Sequence, residues 1–186
     1  MKRHIKNLIS VIFSFLKFSI IKLFHGKCFR FHLIERFSPN TELDIGKNSL
    51  LVLKEAVRAH SGSKFRVRNG AKLTIGKNTT FGYKCMITCR HEISIGEGTD
   101  FGPNVLIYDH DHDFKATGGL TAGKYKYGSV QIGNEVWVGA NVIILKGTKI
   151  GNNCVIAAGS IISGTFPDNT IIIQKRETEV IKYRKE

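Results

Sequence analysis

The stretch IGNEVWVGANVIILKGTKIGNNCVIAAGSII, residues 132–162, carries an aliphatic residue at every sixth position: Ile132, Val138, Ile144, Ile150, Ile156 and Ile162. A period of six fits neither an α-helix nor strands that merely alternate in a hairpin. It predicts a triangular parallel solenoid, in which three short strands make a coil of about 18 residues and successive coils stack strand upon strand. Working outward, Ile75, Phe81, Ile87 and Ile93 keep the same spacing, and the series then moves on by two to Ile95, Phe101 and Ile107. That shift implies a small insertion at one corner. Glycine and asparagine after the aliphatic position suit the corners, because both tolerate left-handed backbone angles. Residues 43–173, less one loop, supply roughly six coils.

The composition agrees with one domain and an appendage. Hydrophobic residues make up 42% of the 186, enough for a core, and 19 glycines without a Gly-X-Y period exclude collagen. With 28 Lys and Arg against 15 Asp and Glu, the net charge is +13, which favours anionic partners. Cys28, Cys85, Cys89 and Cys154 form no compact disulfide framework, so reduced thiols and a cytoplasmic protein are expected. Cys85 and Cys89 lack a second Cys or His pair at zinc-finger spacing, and no metal is expected.

Residues 1–37 differ from the rest, being rich in Ile, Leu, Phe and Lys. Lys17 and Lys22 interrupt the apolar run, which disfavours a simple membrane span, and no small-residue cleavage site of a signal peptide is present. As a helix, this arm places Ile5, Leu8, Ile9, Ile12, Phe13, Leu16, Ile20 and Leu23 on one face, which Phe15, Phe18 and Phe24 widen. The favoured expectation is that this face packs on the domain or a neighbouring subunit. The alternative is a basic amphipathic helix lying on an anionic membrane, as a peripheral contact at its inner face. The chain thus divides into a helical arm (1–37), an all-β solenoid (38–174) with a loop at 109–129, and a charged tail (175–186).

The repeat, above all residues 132–162, resembles the left-handed parallel β-helix of the hexapeptide-repeat acyltransferases, in particular the O-acetyltransferases of sugars and polysaccharides. The resemblance covers most of residues 43–173. It implies an all-β fold, a homotrimer with active sites between neighbouring solenoids, and acetyl-CoA as donor. It also implies a bacterial surface-polysaccharide or lipopolysaccharide setting.

The period breaks after Ile107, where YDHDHDFKATGGLTAGKYKYGS intervenes. A polar loop of this length on a rigid scaffold is a place for a site. Acetyl transfer to a hydroxyl needs a base, and histidine titrates in the useful range. His4, His25 and His32 lie in the arm and His60 and His91 in earlier coils, which leaves His110 and His112. The family sets its catalytic histidine at the sixth position of the hexapeptide that begins here at Ile107; that is His112, with His110 in reserve. Asp109, Asp111 or Asp113 is available to orient the base, and the sequence does not choose among them.

The resemblance further implies donor contacts at Trp137, Gly139, Ala140, Ala158, Ser163 and Gly164, with an oxyanion donor at the amide of Gly139 or Ala140. The family's Gly-Pro turn near the C-terminus is missing, so Lys175, Arg176, Lys182 and Arg184 read either as phosphate contacts or as a solvated tail. The resemblance places acceptor contacts at Gly82, Tyr83, Arg90 and His110. Gly82 and Arg90 stand where the family has other polar residues, and Arg90 with Lys84, Lys124 and Lys126 points to an anionic acceptor. Two rival chemistries share the scaffold: N-acetylation of an amino sugar, and a zinc hydro-lyase resembling the gamma-class carbonic anhydrases, built on His91, His110 and His112. No motif interleaves the basic residues with aromatics, so nucleic acid is not an expected partner.

Overall fold

The computed structural model describes residues 2–175 and 177–181. One helix, α1 (Lys2–His25), is followed by a parallel β-solenoid of about six turns. Its first and second faces are seven-stranded sheets, its third has six strands, and every pairing within the three faces is parallel. The six aliphatics at 132–162 are all buried, falling in turn on the first, second and third faces. The six-residue period therefore reports a triangular cross-section, with one inward side chain per face.

The phase shift has a definite cause. In the earlier coils the strands of the first and third faces are four residues long, as in Lys72–Ile75, Met86–Cys89 and Glu92–Ile95. Each turns two residues inward instead of one. Ile93 and Ile95 share a strand, paired with Leu73 and Ile75, and only Arg90 and His91 separate that strand from Cys89. The core is thus widest in the early coils, where Phe37, Phe65, Phe81 and Phe101 fill it. Phe81 and Phe101 stack at 4.7 Å between ring centroids.

The coils begin earlier than residue 38. Phe29–Arg30 pairs with the strand Leu50–Leu53, and Arg36–Phe37 with Arg58–Ala59. Their shortness and the apolar surroundings hide these two strands in a sequence reading. The helix caps the open end of the first coil. Phe18 is fully buried against Phe29, Phe31 and Phe37, and the Phe37 amide donates to Ser14 Oγ at 2.8 Å. Lys17 Nζ donates to the carbonyls of Thr41 and Pro39, and Lys22 Nζ to that of Phe29. This satisfies groups that an uncovered sheet edge leaves open.

The packing side lies at one edge of the expected face: of the described residues expected there, Phe18 is the one fully buried. Packing runs through Ser14, Phe18 and Ile21, whereas Leu8, Ile9, Ile12, Leu16, Ile20 and Leu23 point to solvent. The side chain of Ile5 lies outside the described residues. By length and composition the segment Asn7–Cys28 is also long and apolar enough to cross a membrane, despite Lys17 and Lys22.

In the first coil, Glu35 is 1% exposed, and its Oε2 has no hydrogen-bond partner among the described residues. Burial pushes its carboxyl up to about 8, against a weaker downward pull from the backbone at His32 and Val57. The folded form holds this proton where the unfolded chain, with an ordinary value near 4.5, has lost it. Stability therefore falls as pH rises from about 4.5 to about 8 and is lower by a constant amount beyond. Glu35→Gln is expected to raise the unfolding midpoint at alkaline pH and to flatten that slope. Thermal unfolding of both proteins between mildly acidic and alkaline pH checks this; parallel profiles contradict it.

Candidate functional site

After Leu106–Tyr108 on the third face, the chain leaves the solenoid as a hairpin. His110–His112 pairs antiparallel with Tyr125–Tyr127, setting His110 opposite Tyr127 and His112 opposite Tyr125. The hairpin emerges at the corner between the third and first faces and is anchored by Asp109, which is fully buried. Its carboxylate accepts from the Arg90 amide at 2.8 Å, the His91 amide at 2.7 Å and Cys89 Sγ at 3.3 Å. Its backbone carbonyl accepts from the Gly128 amide, which closes the base of the hairpin. The Arg90–His91 corner, which joins two of the four-residue strands behind the phase shift, is thus the one whose amides hold Asp109.

Asp109 Oδ1 also lies 2.9 Å from His110 Nδ1, and the His110 side chain is only 10% exposed. This fixes the ring and directs the proton of a neutral imidazole to Nδ1. His112 stands differently. It is exposed, packs on Tyr125 at 4.6 Å between ring centroids, and has no carboxylate bonded to its ring among the described residues. Asp111 pairs with Lys146 and Asp113 with Lys126. Of the three aspartates, the one that orients a histidine is therefore Asp109, and the histidine is His110.

Tyr125, which sequence reasoning did not single out, joins the parts. Its ring meets both histidines, and the Arg90 guanidinium lies over it at 3.8 Å. Arg90, Arg68 and Tyr127 line a cavity of about 250 Å³ together with Asp44 and Asn69. Arg68 bonds Asp44 at 2.7 Å, while the buried Nε atoms of Arg68 and Arg90 have no partner among the described residues. Two guanidinium groups beside a histidine hairpin make a cavity suited to an anion.

The other expected residues fall on two different corners. Ser163 and Gly164 follow Ile161–Ile162 and share the third-to-first corner with Arg90, His110 and His112. Gly82, Tyr83, Gly139, Ala140 and Ala158 follow strands of the second face and lie at the opposite edge of the third. One face of a coil, roughly 15 Å of chain, separates the two groups. Trp137 is 60% exposed on the second face. The Gly139 amide already donates to the Ile156 carbonyl at 2.8 Å, whereas the Ala140 amide finds no partner among the described residues. As an oxyanion donor Ala140 is available and Gly139 is not. Lys175 is exposed, and Arg176, Lys182 and Arg184 lie outside the described residues.

All four cysteines are unpaired thiols, three of them buried. Burial raises Cys85 to about 11, and burial with the neighbouring Asp109 carboxylate raises Cys89 further. Neither is a reactive thiolate. Among the described residues no group of three or more His, Cys, Asp or Glu side chains is placed to hold a metal ion.

A family model described as bacterial transferase hexapeptide (six repeats) matches residues 129–164. YvoF of Bacillus subtilis (strain 168), whose own name gives acetyltransferase as a provisional assignment, is 31% identical over 133 residues. That alignment takes in 70% of this chain and 73% of YvoF. The galactoside O-acetyltransferase of Escherichia coli (strain K12) is 31% identical over 106 residues, 55% of this chain, and the chain spans about half (50%) of that enzyme's length. Among solved structures, a maltose O-acetyltransferase from Clostridium difficile 630 aligns with a TM-score of 0.54 at 29% identity, over 73% of this chain and 70% of that one.

Proposed function

Because the chain belongs to the hexapeptide-repeat acetyltransferases, we propose that it moves an acetyl group from acetyl-CoA to a hydroxyl of a saccharide, with His112 as general base. The observation that carries this is the hairpin. At the one break in the repeat, an exposed imidazole is held beside a buried Asp109–His110 pair and an arginine-lined cavity. In the step proposed, His112 takes the hydroxyl proton as the oxygen attacks the acetyl carbonyl. The Ala140 amide donates a hydrogen bond to the carbonyl oxygen as it becomes negative, the carbon–sulfur bond breaks, and the proton returns to the departing sulfur. Nothing in it needs a covalent enzyme intermediate. His110 acts as a positioning residue, holding the hairpin to Asp109. A second reading has one observation in its favour: the Asp109–His110 bond gives His110 the tautomer a base requires.

The split of expected contacts between two corners supports a homotrimer, in which the hairpin corner of one chain faces the Ala140 and Ala158 corner of the next. Four unpaired thiols fit the reducing cytoplasm. Calorimetry with acetyl-CoA tests the donor: about one saturable site per chain is expected, and its absence in folded protein overturns the proposal. The acceptor is taken to be anionic, its charge in the Arg68–Arg90 cavity. Arg90→Ala is expected to lower kcat/KM at least about tenfold for acidic saccharides and to leave neutral ones nearly unchanged. Equal losses would remove the anionic assignment.

A further inference from the structure

We propose that the outward face of α1 docks in the plane of an anionic lipid bilayer. Leu8, Ile9, Ile12, Phe15, Leu16, Ile20, Leu23 and Phe24 are between 40% and 82% exposed and recur at three- and four-residue steps. They form one continuous apolar stripe, because Lys17 and Lys22 turn aside to carbonyls of the first coil. Leu33 and Ile34, in the turn of that coil, are also exposed. A stripe of this size uncovered in water marks a surface with a partner.

The orientation follows from the anchors. Ser14, Lys17 and Lys22 bond to Phe37, Pro39, Thr41 and Phe29, all within the first coil. A helix running along the solenoid would meet successive coils instead. It therefore lies across the end of the stack, with its free face turned away from the coils along their axis. That is the attitude of an in-plane interfacial helix.

Charge selects the occupant. Residues 1–41 contain eight Lys and Arg and a single acid, Glu35, which is buried in the first coil. A second copy of the chain on this face would bring two such cationic ends together, whereas anionic headgroups neutralise them. Lys27 and Arg30, both exposed at the helix's C-terminal end, are placed to meet those headgroups.

The test is co-sedimentation of the full chain with phosphatidylglycerol–phosphatidylcholine vesicles. Binding is expected to be at least about tenfold weaker on phosphatidylcholine alone, and weaker in high salt. The triple variant Ile12→Gln, Leu16→Gln, Ile20→Gln changes exposed positions only. It is expected to keep its circular dichroism and elution volume and to lose about a hundredfold in vesicle affinity. Folded full-length protein that ignores both vesicles overturns the proposal, as does a variant that binds like wild type. If the variant instead changes oligomeric state, a second copy occupies the stripe. Protein that resists alkaline carbonate extraction spans the bilayer, which equally overturns in-plane docking. Acetyl-CoA calorimetry on the same samples reads the catalytic proposal separately.

Discussion

His112→Ala is expected to lower kcat by about 10²–10⁴-fold and to leave acetyl-CoA affinity, read by calorimetry, within about twofold of wild type. The magnitude is that of a lost general base, and the split follows because the exposed His112 ring makes no contact on which the coils depend. His110→Ala is the discriminating partner. Its ring is bonded to a buried carboxylate, so its loss leaves Asp109 one donor short and loosens the hairpin. As a positioning residue His110 should cost about tenfold, with the acidic limb of the kcat/KM profile kept; His112→Ala should lose that limb. The reverse pattern, with the limb lost in His110→Ala alone, transfers the base to His110 and makes Asp109–His110 the catalytic pair.

The repeat made the fold legible because an aliphatic residue at every sixth position has few physical explanations. The parts of the site that stayed hidden were those set by contacts between coils. Three aspartates flank two histidines, and alternation along the hairpin does not say which reaches back. The choice is made by the Arg90 and His91 amides, 19 and 18 residues away in sequence, at the corner between the long strands that make the repeat slip by two. The slip was visible, but not that its corner receives Asp109. Tyr125 escaped notice because its partners, His112 and Arg90, become neighbours only once the hairpin folds onto the coil below. The arm shows a different limit. Its apolar residues nearly encircle the helix, so periodicity does not identify the buried side; the plug is Phe18, chosen by three phenylalanines of the first coil.

The corners give the second large effect. Left-handed angles do occur there, but at Asn48, Asn78, Asn104, Asn141, Asn153 and Asn169, at Ala56, Lys84 and Glu135, and at glycines such as Gly70 (φ 73°). The glycines directly after the aliphatic position, among them Gly76, Gly96, Gly133 and Gly151, do not have positive φ. They stack one above another, and each amide from Gly76 onward donates to a carbonyl of the next coil: Gly76 to Ile95, Gly96 to Ile132, Gly133 to Ile150, Gly151 to Phe166. A Cβ on Gly133 would sit 2.5 Å from the Gly151 carbonyl oxygen, against backbone that cannot rotate away. Spacing between coils is held near 4.8 Å by the strand hydrogen bonds, so a methyl group there must prise two coils apart. Gly82 and Gly139, two of the expected site residues, are crowded in the same way at the next corner, which gives them a packing role whatever else they contact. Gly133→Ala is therefore expected to destabilise the chain by more than about 3 kcal/mol. Gly70→Ala, strained in φ but open to solvent, should cost only about 1–2 kcal/mol. Urea unfolding midpoints of the two variants separate the causes. Equal shifts would mean that backbone angle, and not the approach of stacked coils, is what keeps alanine out of this column.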